Sequence, residues 1–183
     1  GGFSGKASGS AKIGNCFAGG EITASGNPDF TDGYGKPAKL AVGGVVGGID
    51  GVYSAGAQSC ISSVDLGVDG TGVDVHCAGI IAEIKTQDEK RVANCLYAGE
   101  IVVNADPDYQ TNMGAILGKA EALYTVENCY YASQAPVIDW TLNGGAEADG
   151  SDYLSANWQR NNLALDESVW EITDGLLPKI KNL

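Results

Sequence analysis

The chain is short of the residues that carry most enzyme chemistry. Its 183 residues include one histidine, one methionine, two arginines (Arg91 and Arg160) and five prolines. His76 stands beside Cys77, and no paired Cys/His spacing of a structural zinc site is present, so no metal is expected. Adjacent residues on a strand point to opposite faces, so His76 and Cys77 cannot serve each other as base and nucleophile. Positive charge is also scarce, with 11 Lys+Arg against 23 Asp+Glu and a net charge of −12. Such a chain repels phosphate backbones and anionic headgroups, which excludes nucleic acid and a charged membrane surface as partners. No apolar run approaches the roughly 18 residues of a membrane span, so no membrane insertion is expected within it. The first residues lack the basic and apolar regions of a signal peptide. They already belong to a repeat, so the sequence reads as an internal piece of a longer precursor.

What the chain has is glycine, 27 of 183 residues, together with 44% hydrophobic and 19% charged residues. That is an ordered chain with many tight turns. Self-similarity organises it. A small–small–apolar–apolar–small block occurs as Gly43–Gly47, Ala78–Ala82 and Gly114–Gly118, with Gly1–Gly5 as a degenerate first copy. A second block follows each: Asn15-Cys16-Phe17, Ser59-Cys60-Ile61, Asn94-Cys95-Leu96 and Asn128-Cys129-Tyr130. The cysteines lie 44, 35 and 34 residues apart. A third segment comes next, at Gly20-Glu21-Ile22, Val64-Asp65-Leu66 and Gly99-Glu100-Ile101.

Each block is short, β-branched or glycine-rich, and bounded by turn residues, which reads as strand. Three strands per repeat, repeated four times, predict an all-β fold: a parallel β-helix or β-solenoid of about four irregular coils over residues 1–148. Equivalent residues then stack in columns about 4.8 Å apart. The column Asn15, Asn94 and Asn128, interrupted by Ser59, resembles a side-chain amide ladder. Cys16, Cys60, Cys95 and Cys129 share one repeat position, so their side chains run parallel, and all are expected to be reduced. Residues from Thr23 to Ala41 and from Val103 to Asn112 are expected to be surface loops.

The last residues differ. Asp149 to Asp152 offers N-cap chemistry for a short helix near 151–160. Val169–Ile172 and Leu176–Ile180 flank the turn Thr173-Asp174-Gly175 and predict a hairpin. A coil stack exposes its end, so 149–183 is expected to be a cap of the same domain, with Trp158, Trp170 and Leu177 as its plug.

On the residues Val42–Gly47, Asn94–Leu96 and Asn128–Tyr130, the chain resembles the GLUG-motif repeat proteins of bacterial cell surfaces. Their repeats look like Val-Gly-Gly-Leu-Val-Gly followed by Asn-Cys-Tyr or Asn-Ser-Tyr. The ending Val169–Ile172, Asp174-Gly175 and Leu177-Pro178 also looks like the segment that closes such arrays. The resemblance implies a secreted or cell-surface bacterial setting and adhesin-like roles. Some members sit beside a metalloprotease domain; the His-Glu-x-x-His motif of that activity is absent here, and the activity does not carry over.

For function, two classes compete. A carbohydrate-active β-helix enzyme, lyase- or hydrolase-like, needs carboxylates clustered on one face. No catalytic residue and no cofactor can be named, so a non-catalytic adhesion or display module is the reading preferred. Asp69 to Asp74 has the look of a calcium turn without the nine-residue repeat that such turns need. The candidate contact residues are Asp29 and Phe30 after Pro28, and Asp108 and Tyr109 after Pro107. Each Asp lies thirteen residues after its cysteine. Exposed aromatics supply contact area at low entropy cost, so the expected partner is an extracellular glycan or protein.

Overall fold

The computed structural model describes residues 2, 4–8, 12–31, 34–36, 38–51, 56–86, 90–121, 124–132 and 145–182. Gly1 and Phe3 of the first repeat copy, Pro37 and Trp140 lie outside them. The described chain is all-β, with one short α-helix.

Three sheets take all but two of the strands. The first has the order β1 (Ser4–Ser8), β4 (Val46–Gly51), β7 (Ile81–Thr86), β12 (Leu117–Ala120). The largest is built on β2 (Lys12–Ser25) and β5 (Gly56–Gly70). To these are joined β8 (Lys90–Ala93), β9 (Leu96–Tyr97), β10 (Ile101–Ala105), β13 (Tyr124–Glu127), β14 (Tyr130–Ala132) and β15 (Ala146–Ala148). The third has the order β11 (Thr111–Gly114), β6 (Val75–Ala78), β3 (Leu40–Gly43). Every pairing in these sheets is parallel, and all but that of β14 with β15 (Tyr130↔Ala146) join residues one repeat apart: Val46↔Ile81↔Leu117, Leu40↔Val75↔Thr111 and Ile61↔Leu96↔Tyr130. The first to second repeat offset is longer, as in Cys16↔Cys60, because the loop 26–39 holds the surplus. That loop is shorter than expected: β2 runs on through Ser25, paired with Asp69, and β3 already starts at Leu40. Likewise β10 ends at Ala105 and β11 begins at Thr111, leaving 106–110.

One core takes side chains from all three sheets, among them Val46, Ile49, Ile81 and Leu117 from the first, Val64 and Leu66 from the second, and Val75 and Met113 from the third. At about 25 cal/mol per Å² of apolar surface, each fully buried Ile or Leu contributes about 1.5–3 kcal/mol. Small residues let the repeats close up. A Cβ on Gly44 would lie 2.2 Å from the Gly79 carbonyl oxygen, so this rung admits only hydrogen.

The Asn-Cys block has a local cause. Asn15, Ser59, Asn94 and Asn128 have φ of 51°, 54°, 56° and 49°. That is the left-handed region, which Asn tolerates best among residues with a side chain. The chain turns a corner there, and the next residue, cysteine, points into the core. Each thiol donates to the carbonyl two residues back: Cys16 to Gly14 (3.4 Å), Cys60 to Gln58 (3.4 Å), Cys95 to Ala93 (3.2 Å) and Cys129 to Glu127 (3.3 Å). All five cysteines are free thiols. The amide ladder is present, with Asn128 Nδ2 donating to Asn94 Oδ1 at 3.1 Å.

The C-terminal segment departs from expectation in its placement. A 3-10 turn covers Asp152–Leu154, and α1 (Ala156–Leu163) begins after Ser155, whose hydroxyl accepts from the Trp158 amide at 3.4 Å. The expected cap residues 149–152 therefore sit one turn too early. β16 (Trp170–Glu171) and β17 (Lys179–Ile180) pair antiparallel, as the hairpin required. The segment, however, lies along a flank of the stack and not across an end. Trp170 Nε1 donates to Asn15 Oδ1 in the first repeat (3.2 Å), while Trp158 meets Tyr130 of the fourth edge-on, 4.8 Å between ring centres. Between them Ile61 and Leu96 are buried against Leu163, Leu165 and Trp170. The physical reason is the Asn-Cys corner: once cysteine points in, the residue after it points out. Phe17, Ile61, Leu96 and Tyr130 thus form an apolar stripe that needs a cover.

Candidate functional site

The two Pro-Asp-aromatic tips are copies of one turn. In the first, Asn27 Oδ1 accepts from the Asp29 amide (3.0 Å) and the Asn27 carbonyl from the Phe30 amide (3.0 Å). In the second, Asp106 Oδ1 accepts from the Asp108 amide (3.1 Å) and its carbonyl from the Tyr109 amide (3.0 Å). Proline presets φ for the position it occupies in each. Phe30 is 70% exposed, Tyr109 is half-buried, and Asp29 and Asp108 are exposed.

The intervening repeat does not leave the two tips room between them. Its turn is closed by the Val73 amide to the Gly70 carbonyl (3.2 Å). Gly72, at φ +74°, is packed so that a Cβ would lie 2.9 Å from Pro28 Cβ, and its amide donates to Asp106 Oδ2 at 3.1 Å. Three turns therefore stack as one ridge. The carboxylates of Asp69, Asp74 and Asp106 are engaged by the chain itself. Asp69 Oδ1 accepts from the Thr71 amide and hydroxyl and from Asn104 Nδ2, and these bonds hold its carboxyl below the usual range. Asp74 Oδ1 accepts from the Gln110 amide (2.8 Å). Among the described residues, no group of three or more His, Cys, Asp or Glu is arranged to hold a metal ion. None of their helices is long and apolar enough to cross a membrane, which says nothing of β-barrels.

Sequence reasoning missed a second feature, a charged cleft on the first sheet. Glu83 of β7 is buried, its side chain 6% exposed. Lys39 Nζ donates to Glu83 Oε1 at 2.5 Å, and Lys85 Nζ stands 3.8 Å from the same oxygen. His76 Nδ1 is 3.2 Å from it too, without meeting the geometry of a hydrogen bond. Burial raises the Glu83 carboxyl; the contacts with His76 and Lys39 overcome that and hold it at about 2. Burial pushes Lys39 down. A cleft of about 200 Å³ opens beside the group, bordered also by Lys6, Gly48 and Asp50. The signal was in the sequence: Glu83 interrupts the run Ile80-Ile81-Ala82 and Ile84. His76 and Cys77 part as expected, with His76 toward Glu83 and Cys77 in the core, its thiol pushed by burial up to about 12.

Comparison with family models, with curated proteins and with solved structures found no match to this chain.

Proposed function

We propose that the chain is a β-solenoid module of an extracellular, GLUG-like bacterial surface protein, and that it works by contact with a glycan or protein and not by catalysis. The ridge of three stacked turns carries this reading. Two of them present the same carboxylate and aromatic at the same repeat position, Asp29 with Phe30 and Asp108 with Tyr109, and Phe30 stands 70% exposed. Parallel pairing of every rung to its neighbours supports a stiff scaffold, since shifting one turn breaks bonds to two others. The surface setting rests on the resemblance of the repeat residues. An aromatic supplies contact area, and a flanking carboxylate accepts from sugar hydroxyls or pairs with basic side chains. The test is a glycan array and a panel of extracellular matrix proteins, probed with the native chain and with Phe30→Ala/Tyr109→Ala. The double substitution is expected to lose binding while melting at the native temperature. A ligand bound equally by both forms would place the contact surface elsewhere.

A further inference from the structure

The register of the first sheet sets charged residues in two columns. One reads Lys6, Gly48, Glu83, Lys119; the other Ser8, Asp50, Lys85. Gly48 is a missing rung: a Cβ built there meets nothing within 4 Å. The space it leaves is the floor of the cleft of about 200 Å³. Its walls are Lys6, Lys39, Asp50, Glu83 and Lys85.

Three of the 11 Lys+Arg in a chain of net charge −12 thus converge on one concavity. They face two carboxylates. Lys6 pairs with Asp50 at 2.8 Å and Lys39 with Glu83 at 2.5 Å, leaving Lys85 to share Glu83 at 3.8 Å. A single oxygen, Glu83 Oε1, therefore serves Lys39, Lys85 and the His76 ring. The cleft carries a surplus of one ammonium, and it alternates donors with acceptors around an open floor.

We infer that this cleft binds one acidic sugar unit, a monocarboxylate with several hydroxyls, of the uronate type. Its carboxylate accepts charge-assisted hydrogen bonds from Lys85 and Lys6, the two walls that Glu83 and Asp50 satisfy least or leave most exposed. Its hydroxyls donate to the exposed carboxylate of Asp50, which a phosphate or sulfate lacking donors would instead meet as a like charge. A neutral sugar gains nothing from the surplus ammonium. The volume is below the roughly 300–1,000 Å³ of sites for drug-sized ligands, which limits the occupant to a single ring. This site lies on the first sheet, away from the ridge of turns, and stands or falls independently of it.

The experiment is a titration of the full chain, followed by amide chemical shifts, with a trimer of galacturonate and with the neutral galactose trimer. The acidic trimer is expected to shift Lys6, Gly48 and Lys85 saturably, with affinity that falls as salt is raised. Gly48→Leu, which fills an open space on a strand, is expected to abolish binding, and Lys85→Gln to weaken it about tenfold, or about 1.4 kcal/mol. Both variants should unfold at the native temperature. Phe30→Ala/Tyr109→Ala should leave the saturable shifts of Lys6, Gly48 and Lys85 as they are, whatever it does to contacts at the ridge, which separates the two sites. Equal binding of the neutral trimer, undiminished binding by Gly48→Leu, or displacement by equimolar inorganic sulfate would each overturn the inference.

Discussion

Ser59 is the one rung of the corner column that is not asparagine, and it sits at φ 54°. Replacing it with asparagine changes two terms. The left-handed conformation costs an ordinary residue roughly 1–2 kcal/mol, part of which asparagine recovers. The new amide also completes a directional chain. Asn128 already donates to Asn94, and Asn15 Oδ1 accepts from Trp170; an amide at 59 can accept from Asn94 and donate to Asn15. The site is 7% exposed, so these bonds are shielded, at a net of about 0.5–1.5 kcal/mol each before the amide's desolvation is set against them. Ser59→Asn should therefore stabilise by about 1–2 kcal/mol. For a chain of this length that raises Tm by about 2–4 °C per kcal/mol. The assay is reversible unfolding in urea and by heat, with the m-value unchanged and the midpoint raised. Ser59→Gly separates the terms, since it relieves the backbone without adding an amide. If Ser59→Gly stabilises and Ser59→Asn does not, the ladder contributes nothing and the reasoning fails.

Alkylation in denaturant without reductant, read by mass, should label all five cysteines; three or fewer would mean a bonded pair. Glu83→Gln should destabilise by about 3 kcal/mol, the low end for breaking a buried ion pair, because Lys39 keeps some solvent. With its carboxyl held at about 2 against an ordinary 4.5, Glu83 contributes stability that is complete above pH 4.5 and lost as pH falls through 2. Acid titrations of stability should show that limb in the native chain and not in the variant. Removing residues 149–183 should uncover Phe17, Ile61, Leu96 and Tyr130 and cause aggregation. The milder Ile61→Ala should cost about 2–5 kcal/mol in the full chain. A soluble 1–148 fragment as stable as the whole would show that the stripe needs no cover.

The repeat was legible because sameness was required there. A corner needs a left-handed residue on every rung, and the core beneath it needs a small apolar one, so Asn-Cys recurs and can be found by matching. The parallel pairing of Cys16 with Cys60 and of Leu96 with Tyr130 then follows from the spacing. The flank was legible in principle. Phe17, Ile61, Leu96 and Tyr130 stand in the very triplets that reveal the repeat, and alternation points them outward once cysteine points in. The helix start slipped because Asp149 to Asp152 and Ser155 offer the same capping chemistry. Only Ser155 precedes a helix whose buried Leu163 reaches the flank, while buried Gln159 ties the segment to itself through the Tyr153 and Leu176 carbonyls.

The charged cleft could not be found by matching, and the reason is electrostatic. In a parallel, in-register stack a residue repeated in every copy meets itself at about 4.8 Å. Apolar and amide side chains gain from that. Charges do not: two like charges at that spacing repel by about 3.5 kcal/mol at the effective dielectric of a protein surface. On the first sheet the columns of charge change sign, or skip a rung, from one copy to the next, whereas the like charges of Glu21 and Asp65 on the second sheet are tolerated because both are exposed to solvent. Asp50 is followed by Lys85, and Glu121 comes at the next rung. Lys6 is followed by Gly48, then Glu83, then Lys119. A comparison of copies that looks for what they share passes over such positions by construction of the stack itself. The same physics that makes the repeat visible at its corners hides its ion pairs on its faces. The vacant rung at Gly48, with a lysine on one side and a carboxylate on the other, is the point where the alternation leaves space for something other than the chain.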